Sequence, residues 1–236
     1  MADVRAVAGA GCVLAAAGVV RDRVRGVAGV PVSLAATGAL IVIARRAGCT
    51  PGELGLGTVG KGLRYGAAAA GVVGAGYAAG ALLPATRPLF DDDRAAGTGA
   101  GLARQALVEV PFGTVLLEEA GFRAVLPALL RPACGEVGAD VVAAGLFGLW
   151  HILPSRDLVE ANPALAGAAS GGAAPSPARA AVSAVVTTAA AGVVFAALRR
   201  RSGSVIAPAL LHAATNSLGY AAAWAVRRRA RPASRA

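Results

Sequence analysis

The chain has 236 residues, of which 56% are hydrophobic and 15% charged, and its mean hydropathy is +0.62. A soluble domain carries about 25% charged residues, so an ordinary soluble enzyme, a disordered chain and a disulfide-stapled secreted domain are all excluded. Gly, at 32 residues, and Ala are abundant while aromatics make up 4%, which suits helices packed through small side chains inside a bilayer.

The net charge is +10, from 23 Lys+Arg against 13 Asp+Glu, and every basic residue but Lys61 is arginine. The arginines stand in short clusters between apolar runs, at Arg21–Arg25, Arg45–Arg46, Arg199–Arg201 and Arg227–Arg235. That is the placement of helix flanks facing anionic headgroups. A nucleic-acid binder would gather them on one soluble face with aromatics for stacking, so the expected surroundings are a lipid bilayer and no nucleic acid. No cleavable signal peptide stands out, because the first apolar run leads into further spans. Cys12, Cys49 and Cys134 are odd in number and scattered, and build neither a disulfide framework nor a CxxC metal site.

A membrane span needs about 20 apolar residues. Val4–Val20 and Val27–Ala44 are the first two candidates. Tyr65–Leu83 is the third, with Gly71, Gly76 and Gly80 offering small residues for helix contact. Pro84 to Gly101, with Pro88 and Asp91–Asp93, reads as a polar loop. Leu102–Leu130 is long for one span, and Pro111 is expected to kink it or to mark a late start. Gly138–Leu153 is short and ends at Pro154. Between Pro154 and Arg179 lies an Ala/Gly/Ser/Pro-rich connector, expected to be flexible. Ala180–Leu198 and Gly203–Val226 complete the set. The expectation is an all-α polytopic membrane helical bundle of seven helices, or eight if the fourth segment is broken, forming a single membrane domain over 1–236. With seven spans, nine basic residues fall on one side and thirteen on the side of the C-terminus. The positive-inside rule then favours a cytoplasmic C-terminus, with the cell (plasma) membrane as the expected location.

The informative residues are those a membrane should exclude, since a charge at the bilayer centre costs about 2.5–3.5 kcal/mol on insertion scales. Leu102–Leu130 contains Glu118, Glu119 and Arg123; Gly138–Leu153 carries His151; Gly203–Val226 carries His212 and Asn216. The chain has 2 histidines, and both lie in apolar helices. Glu118 and Glu119 point about 100° apart on an α-helix and are not expected to share one small site. Glu119 and Arg123 are four apart and suit an ion pair, leaving Glu118 to face a cavity. His212 and Asn216 share a face by the same spacing, as do Phe147 and His151. Counted from the C-terminal side at about 1.5 Å per residue, Glu118 and His212 lie roughly 21 Å deep and Asn216 about 15 Å. His151, three residues before Pro154, is shallower on this count, which weighs against a shared site.

At these residues the sequence resembles the CPBP family of intramembrane metalloproteases, which includes the type II CAAX prenyl endopeptidases. The family pattern EExxxR, FxxxH, HxxxN is met by Glu118-Glu119-Ala-Gly-Phe-Arg123, Phe147-Gly-Leu-Trp-His151 and His212-Ala-Ala-Thr-Asn216. The resemblance implies an all-helical membrane fold with a catalytic helical core over 102–226 and peptide-bond hydrolysis within the membrane. By position, Glu118 and His151 would activate a water, His212 and Asn216 would stabilise the oxyanion, and Glu119, Arg123 and Phe147 would support the motif helices. A divalent metal such as zinc, if one takes part, would be held by Glu118, His151 and His212; there is no HExxH pattern to require it, and the cofactor stays open. The implied partner is a membrane protein or peptide substrate, prenylated or lipid-anchored in the best-known members. Two other readings remain: a non-catalytic membrane scaffold or immunity-type protein of the same fold, and a proton-coupled transporter. The absence of repeat symmetry weighs against the transporter.

Overall fold

The computed structural model describes residues 3–24, 26–172 and 176–230. Arg25, Arg231 and Arg235 of the basic clusters and residues 173–175 of the connector lie outside them. Among the described residues the chain is helical, without strands. Five stretches are long and apolar enough to cross a membrane: Val4–Arg23, Gly26–Arg46, Val59–Leu82, Gly99–Trp150 and Pro177–Ser202. The fourth is 52 residues long, but Gly135 leaves helical geometry at φ 68° and ψ 176°, so this stretch holds two of the expected runs. The last helix, Ile206–Ala230, is not among the five; it carries His212, Thr215, Asn216 and Ser217.

Helix α1 (Val4–Arg23) is capped by Asp3, whose carboxylate accepts from the Arg5 and Ala6 N–H groups. Helices α2 (Gly29–Arg46) and α3 (Val59–Leu82) follow. Thr98 then caps α4 (Gly99–Arg104), accepting from the Gly101 N–H. The helix continues through a π-helical stretch, Gln105–Val115, a single α-turn α5 (Leu116–Glu119), a second π-helical stretch, Ala120–Val125, and α6 (Leu126–Trp150). Pro111 therefore does not mark a late start, since the helix already runs from Gly99, and it sits where the helix widens to π geometry. Proline removes an N–H and crowds the carbonyl four residues back, and the wider π turn absorbs both effects. Ser33 from α2 donates to the Gly113 carbonyl at 2.5 Å on the same stretch.

The connector is not structureless: α7 (Ile152–Ala161) and α8 (Pro163–Ala169) form within it. Asn162, 1% exposed, ties them down. Its Nδ2 donates to the Leu89 carbonyl and its Oδ1 accepts from the Leu165 N–H. The loop at 83–98 carries two short turns, Arg87–Phe90 and Asp93–Ala95, and Arg227 reaches it through Asp91 and Asp93 at 2.6 and 2.8 Å. Helices α9 (Pro177–Ser202) and α10 (Ile206–Ala230) complete the bundle.

Small residues do set the helix contacts, but at different positions from those expected. A Cβ at Gly66 of α3 would stand 2.8 Å from a Leu210 methyl and 3.0 Å from the Ala207 carbonyl, so α3 lies directly on α10. Gly71 and Gly76 meet nothing within 4 Å, and Gly80 faces Phe90. Helices α6 and α9 approach through Gly148, where a Cβ would be 2.6 Å from the Val185 carbonyl, and through Gly192 against Ala144. Close backbone approach of this kind replaces the hydrophobic drive that lipid cannot supply. The core gathers Leu14, Leu40, Leu117, Phe122, Val125, Phe147 and Phe195 around the single turn of α5.

Candidate active site

Glu118, Glu119 and Arg123 are 3%, 2% and 3% exposed, so each must find its partners inside the protein. Glu119 Oε1 lies 3.5 Å from Arg123 Nη1, the expected i, i+4 pair. The Arg123 guanidinium lies over the Phe147 ring at 3.8 Å and the Phe195 ring at 4.8 Å. Its Nη1 and Nη2 make no hydrogen bond among the described residues; the aromatic faces and the nearby carboxylate take up the charge.

The same Glu119 oxygen accepts a hydrogen bond from His212 Nδ1 at 2.8 Å. Glu118 approaches the opposite side of that imidazole, with Oε2 at 3.7 Å from His212 Nε2. The expectation that adjacent carboxylates cannot serve one small site is thus corrected. One ring spans the angle between them, because its two nitrogens point in diverging directions. A carboxylate can only accept, so His212 Nδ1 carries a hydrogen toward Glu119. The ring stacks on Phe195 at 5.1 Å and meets the edge of Phe147 at 5.9 Å.

Glu118 Oε1 accepts from the indole N–H of Trp150 at 3.0 Å. Its Oε2 is buried with no hydrogen-bond partner among the described residues. His151 sits where α6 ends, at φ −88° and ψ 3°, and is half-buried. Its Nδ1 donates to the Phe147 carbonyl at 2.8 Å, which leaves Nε2 of the neutral ring with its lone pair. The His151 ring lies 4.5 Å from that of Phe147, so both imidazoles flank one phenylalanine. The shallower depth counted for His151 does not keep the end of α6 away from Glu118. The residue before it, Trp150, bonds directly to Glu118 through its side chain. Asn216, one turn beyond His212, is half-buried and makes no hydrogen bond among the described residues. Its neighbours Thr215 and Ser217 are engaged with the Leu211 and Ala106 carbonyls.

Three contributors were not singled out from sequence: Trp150, Phe195 and Arg21. Trp150 adjoins His151, and an indole N–H in an apolar helix needs an acceptor, which was the available signal. Arg21 of α1, read as a helix flank, donates from Nη2 to Thr114 Oγ1 at 2.9 Å. Thr114 is one turn before Glu118, and the Arg21 and Glu118 charges act on each other. Gly18, one turn before Arg21, admits the Trp150 ring; a Cβ there would be 3.0 Å from it. Helix α1 thus closes one wall of the site.

Among the described residues no three His, Cys, Asp or Glu side chains are gathered as a metal ion requires. Glu118 and His212 face each other, but they lack a third ligand, so the arrangement does not fit the three-ligand set considered above. A family model described as type II CAAX prenyl endopeptidase Rce1-like matches residues 103–218. No curated protein and no solved structure matches the chain.

Proposed function

Residues 103–218 belong to the type II CAAX prenyl endopeptidase Rce1-like family, and from that premise we propose that the chain is an intramembrane endopeptidase. It hydrolyses a peptide bond of a membrane-associated protein or peptide, prenylated or otherwise lipid-anchored. The observation that carries this reading is the Glu118 carboxylate oxygen, buried without a hydrogen bond and facing His212 Nε2 at 3.7 Å.

A water at Glu118 gives up a proton to the carboxylate as its oxygen attacks the scissile carbonyl. His151, with Nε2 free, shares the proton transfer. The tetrahedral intermediate places negative charge on the former carbonyl oxygen, where His212 and Asn216 donate hydrogen bonds. Glu119 holds the Nδ1 proton of His212 and supports positive charge on that ring, leaving Nε2–H to face the oxyanion. Collapse returns the proton to the leaving amine. Few polar groups surround the site, so each of these interactions is stronger than in water. On this reading the bundle lies in the cell membrane, crossing it seven times with the C-terminus in the cytoplasm, as the distribution of basic residues favours.

Two substitutions probe the site, one through chemistry alone and one through packing as well. Asn216→Ala is expected to lower turnover about 10²- to 10³-fold, as for loss of an oxyanion donor, with no change in melting temperature, because the amide has no internal hydrogen bond to lose. Trp150→Phe keeps a ring against Phe122, whose centroid is 5.6 Å away, but removes the donor to Glu118. A hydrogen bond to a charged group contributes about 1.5–3 kcal/mol to stability, so a lowered melting temperature is expected, together with reduced turnover in a reconstituted cleavage assay.

The reading is tested by comparing membrane-peptide profiles of cells carrying the wild type and the Glu118→Gln protein. A peptide shortened only with the wild type supports it. Identical profiles at equal protein levels favour the scaffold reading instead.

A further inference from the structure

Helix α1 lies outside the matched segment 103–218, yet one face of it meets the surroundings of Glu118 at successive turns. Leu14, Gly18 and Arg21 are spaced i, i+4, i+7 and so share that face. Leu14, 4% exposed, fills the space left by Gly121, where a Cβ would stand 2.7 Å from its methyl. Gly18 admits the outer ring of Trp150, where a Cβ would lie 3.0 and 3.1 Å from two ring carbons. Arg21 donates from Nη2 to Thr114 Oγ1 at 2.9 Å, the one side-chain hydrogen bond it makes among the described residues. Leu14 meets Gly121 and Arg21 meets Thr114, so α1 runs antiparallel to the helix that carries Glu118. These contacts bracket Glu118, which lies four residues after Thr114 and three before Gly121.

The middle contact is the one that reaches the carboxylate. Trp150 donates its indole N–H to Glu118 Oε1 at 3.0 Å, while Oε2 faces His212 Nε2 at 3.7 Å. The seat at Gly18 sets the ring, the ring sets Oε1, and Oε2 follows because the two oxygens share one rigid plane. The outer contacts keep α1 from sliding or turning. Arg21 is half-buried and grips Thr114 within the π-helical stretch Gln105–Val115. The charge of Glu118 acts on that guanidinium as well.

The geometry points to Arg21 and Gly18 as positioning residues for Glu118, Arg21 acting through Thr114 and Gly18 through Trp150, so that α1 aims the carboxylate. The inference rests on the proteolytic reading for its meaning in catalysis, but the placement of Glu118 can be read without it. A misplacement of about 1 Å at a reacting group lowers turnover about 10²-fold. A Cβ at Gly18 asks the Trp150 ring to give by a few tenths of an ångström, so a fall in kcat of about tenfold is expected there.

The test uses the purified full chain in proteoliposomes. The chain has 2 tryptophans, and Trp224 donates to the Gly97 carbonyl twelve residues beyond His212. In a Trp224→Phe background the emission therefore reports Trp150 alone, and Glu118→Gln gives the reference for an indole without its charged acceptor. Gly18→Ala, Arg21→Gln and Thr114→Val are each expected to shift that emission. Gly11→Ala, whose Cβ meets nothing within 4 Å, should leave it unchanged, and Arg21→Lys, which keeps a donor for Thr114, should restore it in part. Turnover is measured well below each melting midpoint, on the peptide that the wild type shortens in the membrane comparison. Arg21→Gln and Thr114→Val should each lower kcat about tenfold with KM unchanged, and the pair no further, because both remove the same hydrogen bond. The proposal is overturned if emission stays at the parent value in Arg21→Gln and Thr114→Val, if turnover survives both, or if their losses multiply in the pair. Should the wild type cleave nothing, the proteolytic reading fails, and the emission alone decides whether α1 holds Glu118. Thr114→Val keeps the shape of the side chain, so it decides the matter even if Gly18→Ala does not fold.

Discussion

Replacing Glu118 by Gln is expected to lower cleavage by about 10²- to 10⁴-fold, the usual share of a general base, while the protein stays folded in the membrane. The local geometry supports both halves of that expectation. Glutamine keeps an oxygen where Glu118 Oε1 accepts from the Trp150 indole at 3.0 Å, so the packing of α1, α5 and α6 loses no hydrogen bond. Only the other oxygen changes, the one that has no partner and faces His212 Nε2 at 3.7 Å. The checks are the cleavage rate in proteoliposomes and the melting curve of the same preparation. Full activity would remove Glu118 from the mechanism. A lowered melting point would show that its charge was instead structural.

Arg123→Ala is expected to act in the opposite sense, on folding before chemistry. Arg123 faces a buried carboxylate and lies across two aromatic rings, at 3.8 and 4.8 Å. Removing it leaves Glu119 with His212 as its one remaining partner and opens a void between Phe147 and Phe195. Stranding one half of a buried pair costs about 3–5 kcal/mol, which is a large part of a domain's stability. A sharp drop in folded yield and melting temperature is therefore the expected result. Arg123→Lys should fall between, restoring charge to Glu119 but not the flat face that lies on the rings. If the alanine variant melts like the wild type and only turnover falls, Arg123 is not the support described here.

Much of the candidate site was legible in the chain because membranes penalise polarity. Ionisable and amide side chains within apolar helices stand out, so Glu118, Glu119, Arg123, His151, His212 and Asn216 could be picked out by residue type and paired by helical spacing. The family pattern then ordered them. What spacing could not reveal was the partner across helices. The i, i+4 rule found Glu119 with Arg123 but not Glu119 with His212, since those residues lie 93 positions apart. The clustering of arginines between apolar runs likewise assigned Arg21 to a headgroup flank, although α1 turns that side chain inward to Thr114.

The same division holds for the fold. Composition and hydropathy determined that the chain is a membrane-embedded helical protein, because a bilayer leaves the backbone of so apolar a sequence no other way to pair its hydrogen bonds than with itself. They also determined where the long helices fall, to within a few residues at most ends. Tertiary structure alone decided how Pro111 is absorbed in a π turn, which glycines meet a neighbouring helix, and that two adjacent glutamates close on one imidazole. Such choices depend on the rotation and height of each helix against its neighbours. A few degrees or a few ångströms there are fixed by packing contacts between residues far apart in the chain, which local pattern does not encode.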